Sequence, residues 1–171
     1  MSEPLVPARG GAGAHTNDLR ARSVGAMAPR SVSGTAVVPA PPSVVFDLLA
    51  DPRRHAEIDG SGTVQQMTTG PDRLSLGARF GMGMRMSAGY RVTNRVVEFE
   101  ADRLIAWRHV GLHRWRYELA PVEGGTRVTE TWDATRYPAP VFWVLDRLGF
   151  PARSREGIAG TLPKLAAAVS S

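Results

Sequence analysis

The feature that most constrains the fold is an amphipathic pattern near the end of the chain, over residues 151–169. A segment of this length forms a helix of roughly 28 Å at about 1.5 Å per residue, so it needs an apolar surface of matching length. The residues before it must supply that surface. The apolar residues fall at helical spacing and share one face: Ile158, Leu162, Leu165, Ala166 and Val169.

Short runs in which apolar and polar residues alternate fill the segment between residues 63 and 132. A period of two is typical of strands with one buried face. Turn residues such as Gly124 and Gly125 separate the runs, and such short connections require antiparallel neighbours. The predicted strands span residues 63–68, 78–86, 90–100, 104–110, 114–121 and 126–132.

A strand over residues 31–38 and two short helices come before this segment. Pro42 begins the first helix, which ends at Ala50. Asp51 is a good N-cap residue, so it predicts a second helix over residues 52–58. The predicted fold class is therefore α+β: a seven-stranded curved antiparallel sheet around a long C-terminal helix, with two short helices after the first strand.

Residues 1–30 are rich in glycine, alanine, proline and arginine and have no apolar period, which predicts a disordered N-terminal tail. Residues 31–171 then form a single domain, and we expect loss of the tail to leave its stability unchanged. No secretory signal is evident in the first 30 residues, and no apolar run approaches the ~18 residues of a membrane span. These features predict a cytoplasmic protein without stable membrane insertion.

Composition narrows the classes of partner. The chain has no cysteine, which excludes disulfides and thiolate metal sites. Its net charge is +5, from 21 basic and 16 acidic residues, and Lys164 is the one lysine. The arginines are scattered along the chain, whereas a nucleic-acid-binding protein would cluster them on one face. We therefore expect no nucleic-acid partner.

Turn chemistry predicts the strand register. A loop over residues 87–89 has glycine at its last position, where a positive φ is needed. Two loops compete between residues 110 and 114, and the three-residue loop is preferred because it gathers the aromatic residues on one face. A two-residue turn is predicted at residues 101–102. The resulting pairs include Met84 with Val92, Val96 with Trp107, Trp107 with Tyr117, Trp115 with Trp132, and Tyr117 with Glu130.

The face that turns toward the C-terminal helix is rich in methionine and aromatic residues. Methionines form an adaptable wall, and small-molecule sites are mostly apolar with a few placed polar groups. The alternative is that these residues are simply the core beneath the helix. The predicted ligand-binding residues are Phe80, Met82, Met84, Met86, Tyr90, Asn94, Trp107, His109, Trp115, Tyr117, Glu130 and Trp132.

Several stretches resemble the START-related superfamily of polyketide cyclases, dehydrases and lipid carriers (SRPBCC). They are residues 107–109 (Trp-Arg-His), 115–119 (Trp-Arg-Tyr-Glu-Leu) and 124–131 (Gly-Gly-Thr-Arg-Val-Thr-Glu-Thr), with the helices near residues 40–52 and 157–165. The resemblance implies a helix-grip fold around a hydrophobic pocket, covering residues 31–169. It does not select one activity, because the superfamily includes both enzymes and carriers.

Two functions follow. The preferred one is binding or carriage of a small hydrophobic molecule, such as a lipid or a polyketide-like compound. The alternative is an enzyme of the polyketide cyclase or dehydratase type, with His109 and Glu130 as acid and base and Tyr117 or Asn94 holding the substrate oxygen. Against this alternative, Glu130 could pair with an arginine and His109 could lie at the open end of the sheet, and we expect this structural outcome.

Other sequence motifs add little evidence about function. His55 and Asp59 share one helical face near the expected cavity mouth, although Asp59 is better explained as a residue that caps the turn before Gly60. No phosphate loop, dinucleotide motif or nucleophile elbow is present, and His109 with His113 does not make a metal site. We predict no cofactor and no metal. Residues 141–148 predict a short helix that closes one end of the sheet or, alternatively, lies on a membrane surface.

Overall fold

The computed structural model describes residues 27–170, in which one curved antiparallel sheet holds a long helix. The sheet has seven strands in the order β1-β7-β6-β5-β4-β3-β2. The strands are β1 (Ser31–Val38), β2 (Val64–Thr69), β3 (Arg79–Arg85), β4 (Gly89–Glu100), β5 (Leu104–Arg108), β6 (Arg114–Val122) and β7 (Gly125–Asp133). The helices are α1 (Pro42–Ala50), α2 (His55–Ile58), α3 (Ala139–Arg147) and α4 (Phe150–Ala168), with a 3-10 turn at Pro52–Arg54 before α2. The predicted fold class is confirmed.

The helices begin and end where local chemistry predicts. Pro42 is at the first position of α1, where a missing N–H costs nothing. The carboxylate of Asp51 accepts a hydrogen bond from the Arg53 N–H at 3.0 Å and so caps the 3-10 turn. The apolar face of α4 packs on β1. Ile158 reaches the backbone of Gly34, and a Cβ atom on Gly34 would lie only 2.6 Å from a methyl group of Ile158.

One predicted register is confirmed and another is wrong by two residues. Tyr117 pairs with Glu130 across β6 and β7, as predicted. Across β3 and β4, however, Met84 pairs with Tyr90 and not with Val92. The loop comprises residues 86–88, and Gly89 is the first residue of β4, without a positive φ. Because side chains alternate with a period of two, this shift leaves each residue on its predicted face.

The strands on either side of β5 show two further differences. Trp107 pairs with Val96, as predicted. The turn between β4 and β5, however, has three residues instead of two, with Asp102 at φ 60°. A bulge at Val97 compensates for the extra residue and restores the predicted pair. Trp107 also pairs with Trp115, not with Tyr117. The connection from β5 to β6 is longer than the loop we predicted, because it runs through residues 109–113.

The sheet has two distinct ends. At one end, α1 contacts β5, β6 and β7, and the Thr126 hydroxyl donates a hydrogen bond to the Ala40 carbonyl at 2.7 Å. The other end carries the β3–β4 hairpin, the β5–β6 loop, the start of β1 and the end of β7; we call it the mouth end. No helix in the described part of the chain is long and apolar enough to cross a membrane.

The folded part begins before Ser31. The Ala28 N–H donates to the Asp146 carboxylate at 3.0 Å, and the Arg30 guanidinium donates to the Tyr137 carbonyl at 3.1 Å. Arg30 also lies over the ring of Phe142. Ala28 and Arg30, which were predicted to belong to the tail, therefore contact α3 and the segment that connects it to β7. Residues 1–26 lie outside the described residues.

Candidate functional site

A cavity of about 110 Å³ lies toward the mouth end, between the sheet, α2 and the middle of α4. Nine of the twelve predicted ligand-binding residues line it, and α2, the following loop and α4 complete its wall. The residues from the predicted set are Phe80, Met82, Met84, Asn94, Trp107, His109, Trp115, Tyr117 and Glu130, and the added ones are His55, Ile58, Asp59, Ser61, Val64, Val92, Gly157 and Thr161.

Three predicted residues lie outside this wall. Met86 follows the end of β3 and is 58% exposed, and Tyr90, close by in the same hairpin, is 44% exposed. Trp132 is fully buried, but its ring contacts His113 rather than the cavity. The two hairpin residues lie beyond the cavity because the hairpin extends past Met84 and Val92, the last of its residues that line the cavity.

A row of aromatic rings forms much of the cavity wall. The ring of His55 stacks on Trp107 with centroids 4.7 Å apart, and Trp107 stacks on Tyr117 at 5.3 Å. Phe80 meets both Trp107 and His55 edge to face. Such arrangements contribute about 0.5–1.5 kcal/mol per pair beyond burial, so they hold the rings in fixed positions around the cavity.

His55 is the main residue that the predicted ligand-binding set missed. Its Nε2 lies 2.9 Å from the Leu49 carbonyl oxygen, which can only accept, so Nε2 carries the hydrogen. Burial lowers the pKa of His55 and favours the neutral ring. Its spacing with Asp59 had placed both residues near the mouth, and both line the cavity.

Glu130 is a buried carboxyl group without a positive partner. One oxygen, Oε1, accepts a hydrogen bond from the Tyr117 hydroxyl at 2.8 Å. The other, Oε2, is buried and has no hydrogen-bond partner among the described residues. The Thr161 hydroxyl is close enough to Glu130 to lower its pKa somewhat, but that hydroxyl donates its hydrogen to the Gly157 carbonyl. The expectation that an arginine pairs with Glu130 is therefore wrong for the part of the chain described.

The environment of Glu130 changes its acidity. Burial raises the pKa of Glu130 to about 7, and the negative charge of nearby Asp59 adds to this effect, while the Tyr117 hydrogen bond opposes it. Burial also raises the pKa of Tyr117 well above its ordinary value, and the adjacent Glu130 charge raises it further. Tyr117 therefore stays protonated, and Glu130 is the group that titrates near neutrality.

His109 lies in the same wall, next to a second histidine. The His109 and His113 rings are 4.7 Å apart, and the Tyr137 hydroxyl lies 3.0 Å from Nδ1 of His113. Burial lowers the pKa of His109, and burial together with the neighbouring His109 lowers that of His113 to about 4. Both rings are thus neutral at pH 7. The described residues show no hydrogen bond from His109 to Glu130.

The loop after α2 is held against α4 by its backbone. The Asp59 carboxylate accepts hydrogen bonds from the N–H groups of Ser61 and Val64, which confirms its predicted role in the turn. The Gly60 N–H donates to the Thr161 hydroxyl at 3.1 Å, and Lys164 donates to the Asp59 carbonyl at 2.6 Å. Hydrogen bonds between main-chain groups of this loop and side chains therefore fix this part of the cavity wall.

Comparison with known proteins assigns the chain to a family. Residues 29–169 match the family described as polyketide cyclase / dehydrase and lipid transport. The chain belongs to this family. It is also 37% identical over 152 residues to the uncharacterised protein Rv0088 of Mycobacterium tuberculosis, covering 86% of this chain and 68% of that one. The SRPBCC resemblance is confirmed.

Solved structures share the fold of this chain. The AHSA1-like protein of Aeromonas hydrophila superposes with a TM-score of 0.60 at 23% identity, covering 82% of this chain and 92% of that one. A protein of Rhodobacter sphaeroides superposes with a TM-score of 0.63 at 17% identity, covering 85% of this chain and 97% of that one. At these identities the similarity concerns the fold alone. The family binds small hydrophobic molecules. In this chain, the described residues contain no cluster of metal-binding side chains.

Proposed function

We propose that the cavity binds a small, mostly apolar molecule that carries one hydrogen-bonding group, and that this group meets Glu130. The observation that carries the proposal is the unpartnered Oε2 atom, which is buried in the cavity wall among aromatic and methionine side chains. A buried polar atom without a partner costs about 1–3 kcal/mol. A ligand that supplies the missing partner removes that cost.

The size of the cavity favours a compact ligand. Its 110 Å³ is comparable to an engineered cavity of about 150 Å³ that binds benzene. The cavity as it stands is therefore matched to about one ring, and any substituent on that ring has to be short. A molecule with long acyl chains would require the walls to move, and Met82 and Met84 on β3 are the side chains best suited to do so.

Tryptophan fluorescence provides a direct test, because Trp107 and Trp115 line the cavity. At pH 8, where Glu130 is ionised, we expect 4-ethylphenol to bind with about tenfold higher affinity than ethylbenzene, since its hydroxyl can donate to Oε2 and a hydrogen bond to a charged group contributes about 1.5–3 kcal/mol. Glu130→Gln should reduce this preference. Failure of the wild-type chain to bind either molecule would overturn the proposal.

A pair of neighbouring substitutions checks that binding occurs inside the cavity. Met84→Arg places a charge in the wall and should abolish binding of both molecules, with a modest loss of stability because Met84 is only half-buried. Arg85→Met, on the exposed side of the same strand, is the matched control and should leave binding unchanged. Equal effects of the two substitutions would place the binding site elsewhere.

Acid–base catalysis is the second candidate, and the observation that favours it is the titration of Glu130 near neutrality. A catalytic base works best when its pKa lies near the working pH. In such a reaction the Glu130 carboxylate would take a proton from the carbon next to a ketone, and the buried Asn94 amide would donate a hydrogen bond to the resulting enolate oxygen.

This candidate has its own test, which is the exchange of ketone hydrogens for deuterium. We would incubate phenylacetone with the protein in D₂O and follow loss of its α-hydrogens by NMR. An exchange rate well above that of buffer, abolished by Glu130→Gln with affinity retained within a few fold, supports catalysis. A rate equal to that of buffer leaves binding as the function.

A further inference from the structure

Exposed apolar side chains concentrate at the mouth end of the sheet. The β3–β4 hairpin carries Met86 and Tyr90, and the β5–β6 loop carries Val110, which is 80% exposed. At the same end α3, which contacts Ala28 and Arg30 just before β1, exposes Trp143 and Val144, and Leu148 follows directly after it. We call these six residues the mouth rim. They lie on three separate segments, so the topology of the sheet, and not one helix alone, brings them to one end.

The rest of the described surface shows no such concentration of large apolar side chains. Away from the mouth end, Val37 lies near the far end of β1, Val44 lies on α1, and Leu76 lies in the loop before β3. Single exposed apolar residues of this kind are ordinary, whereas a concentration of them marks an interaction surface. The mouth rim therefore calls for a partner, and its charged neighbours indicate which one.

Arginines accompany the apolar residues of the mouth rim. Arg85 precedes Met86 in the sequence, and Arg91 follows Tyr90. In α3, the guanidinium of Arg147 lies over the Trp143 ring, 4.6 Å from its centroid. None of these three arginines forms an ion pair with another described residue.

The acidic groups near α3 already have partners. Asp146 accepts the Ala28 N–H, and Asp133 accepts hydrogen bonds from Thr135 and from the guanidinium of Arg136. Asp146 accepts only a neutral N–H and keeps its negative charge, but it is one carboxylate against three unpaired arginines, so the net charge of these groups is positive. It lies beside exposed apolar and aromatic side chains, which is the combination found where proteins rest on an anionic lipid surface.

We propose that the mouth end docks on the surface of an anionic phospholipid bilayer. The apolar side chains of the mouth rim enter the boundary between headgroups and acyl chains, and the arginines contact lipid phosphates. No part of the chain crosses the bilayer in this arrangement. The inference does not depend on what the cavity binds, so Glu130→Gln should leave vesicle binding unchanged.

Vesicle sedimentation with the full chain tests the proposal. We expect the protein to bind phosphatidylcholine vesicles that contain phosphatidylglycerol at least about tenfold more tightly than pure phosphatidylcholine vesicles. Each arginine at the surface contributes about a fivefold change in affinity, so Arg147→Glu should weaken binding by at least that factor. Added salt should weaken it as well. Equal binding to both kinds of vesicle would overturn the proposal.

Two valines provide a matched pair of variants. Val144 in α3 is 47% exposed and Val44 in α1 is 43% exposed, so aspartate at either position has similar access to water. Val144→Asp should lower vesicle binding about tenfold or more, whereas Val44→Asp should not change it. If Val144→Asp fails to fold, Leu148→Ser serves in its place, because Leu148 is also exposed. Equal binding by the two aspartate variants contradicts the proposal.

A competing occupant is a second copy of the chain. Analytical ultracentrifugation without vesicles distinguishes a dimer from the membrane-docking monomer that we propose. We expect both the wild type and the Val144→Asp variant to sediment as monomers. A dimer that dissociates in that variant would show that the mouth rim is a protein interface, and the membrane proposal would then be wrong.

Discussion

Glu130 combines a buried carboxyl group, an unpartnered oxygen and a hydrogen bond from Tyr117. The ordinary pKa of a glutamate is 4.5, so the folded chain holds its proton over a range in which the unfolded chain has lost it. The contribution of Glu130 to stability is therefore fully present below pH 4.5 and is lost as the pH rises through about 7.

Glu130→Gln should remove this dependence, because glutamine cannot ionise. We expect the free energy of unfolding of the wild type, relative to that of the variant, to fall by about 3 kcal/mol between pH 4.5 and pH 8. Urea unfolding of both chains at a series of pH values measures this difference. His113 acts in the opposite direction, since its lowered pKa costs stability as the pH falls from 6.5 toward 4, but it is present in both chains and cancels. A difference that does not vary with pH would show that Glu130 has an ordinary pKa.

The sequence placed Glu130 on the correct face but suggested the wrong neighbour for it. Strand alternation predicts that Tyr117 and Glu130 both turn inward. The same alternation turns Arg114 and Arg116 outward, where they pair with Glu98 on the other face of the sheet. The abundance of arginine in the chain therefore has no bearing on Glu130. His55 was placed near the mouth by its spacing with Asp59 but left out of the predicted ligand-binding residues, because a four-residue helix gives too short a pattern to show which face is buried.

At the scale of elements, α4 contacts the loop after α2 with almost no space between the two backbones. A Cβ atom on Gly160 would lie 2.8 Å from the Gly60 carbonyl oxygen, and one on Gly60 would lie even closer to the backbone of α4. Main-chain atoms cannot rotate away as side chains can. These two glycines therefore set the distance between α4 and one wall of the cavity.

Alanine at two positions of α4 separates this contact from helix propensity. Gly160→Ala should lower the free energy of unfolding by about 1–2 kcal/mol, because the clash costs more than the roughly 1 kcal/mol that alanine contributes to a helix. Gly157→Ala is the control: its Cβ atom would lie 3.6 Å from Ser61, an ordinary contact, so stability should rise slightly. Thermal unfolding of both variants provides the measurement. Similar values for the two would show that the backbone contact is not limiting.

The register errors also belong to this scale and share one cause. Pairing β3 with β4, or β5 with β6, two residues out of step still buries the same side chains, so the alternation of the sequence cannot distinguish the two registers. Only the loops decide, and the β5–β6 loop has five residues with Gly111 at φ 100°. The β6–β7 register was predicted correctly because Gly124, at φ 82°, lies in a two-residue turn that allows little choice.

At the scale of the whole molecule, the order of helices and strands could be read from the sequence because each has its own period and its own terminating residues. The beginning of the domain could not. Arg30 lies in a stretch without an apolar period, yet its guanidinium contacts Phe142 and the Tyr137 carbonyl, more than 100 positions later. Contacts between residues so far apart leave no local pattern.

Two truncations test where the domain begins. Deletion of residues 1–30 should lower the melting temperature by roughly 3–6 °C, because it removes the contacts of Ala28 and Arg30 with α3 and its connection. Deletion of residues 1–26 should leave it unchanged, as we expect from their composition. Differential scanning calorimetry compares both with the full chain. Equal melting temperatures for the two truncations would show that these contacts contribute nothing.

The cavity has one wall made of close main-chain contacts, at Gly60 and Gly160, and one made of methionines, at Met82 and Met84. Substitution acts differently on the two. At the first wall almost any new side chain disturbs the fold, while at the second, apolar side chains of other shapes can be accommodated at little cost. Related chains can therefore diverge in ligand preference through β3 while keeping the same architecture, and directed evolution of a new preference should begin with these two methionines.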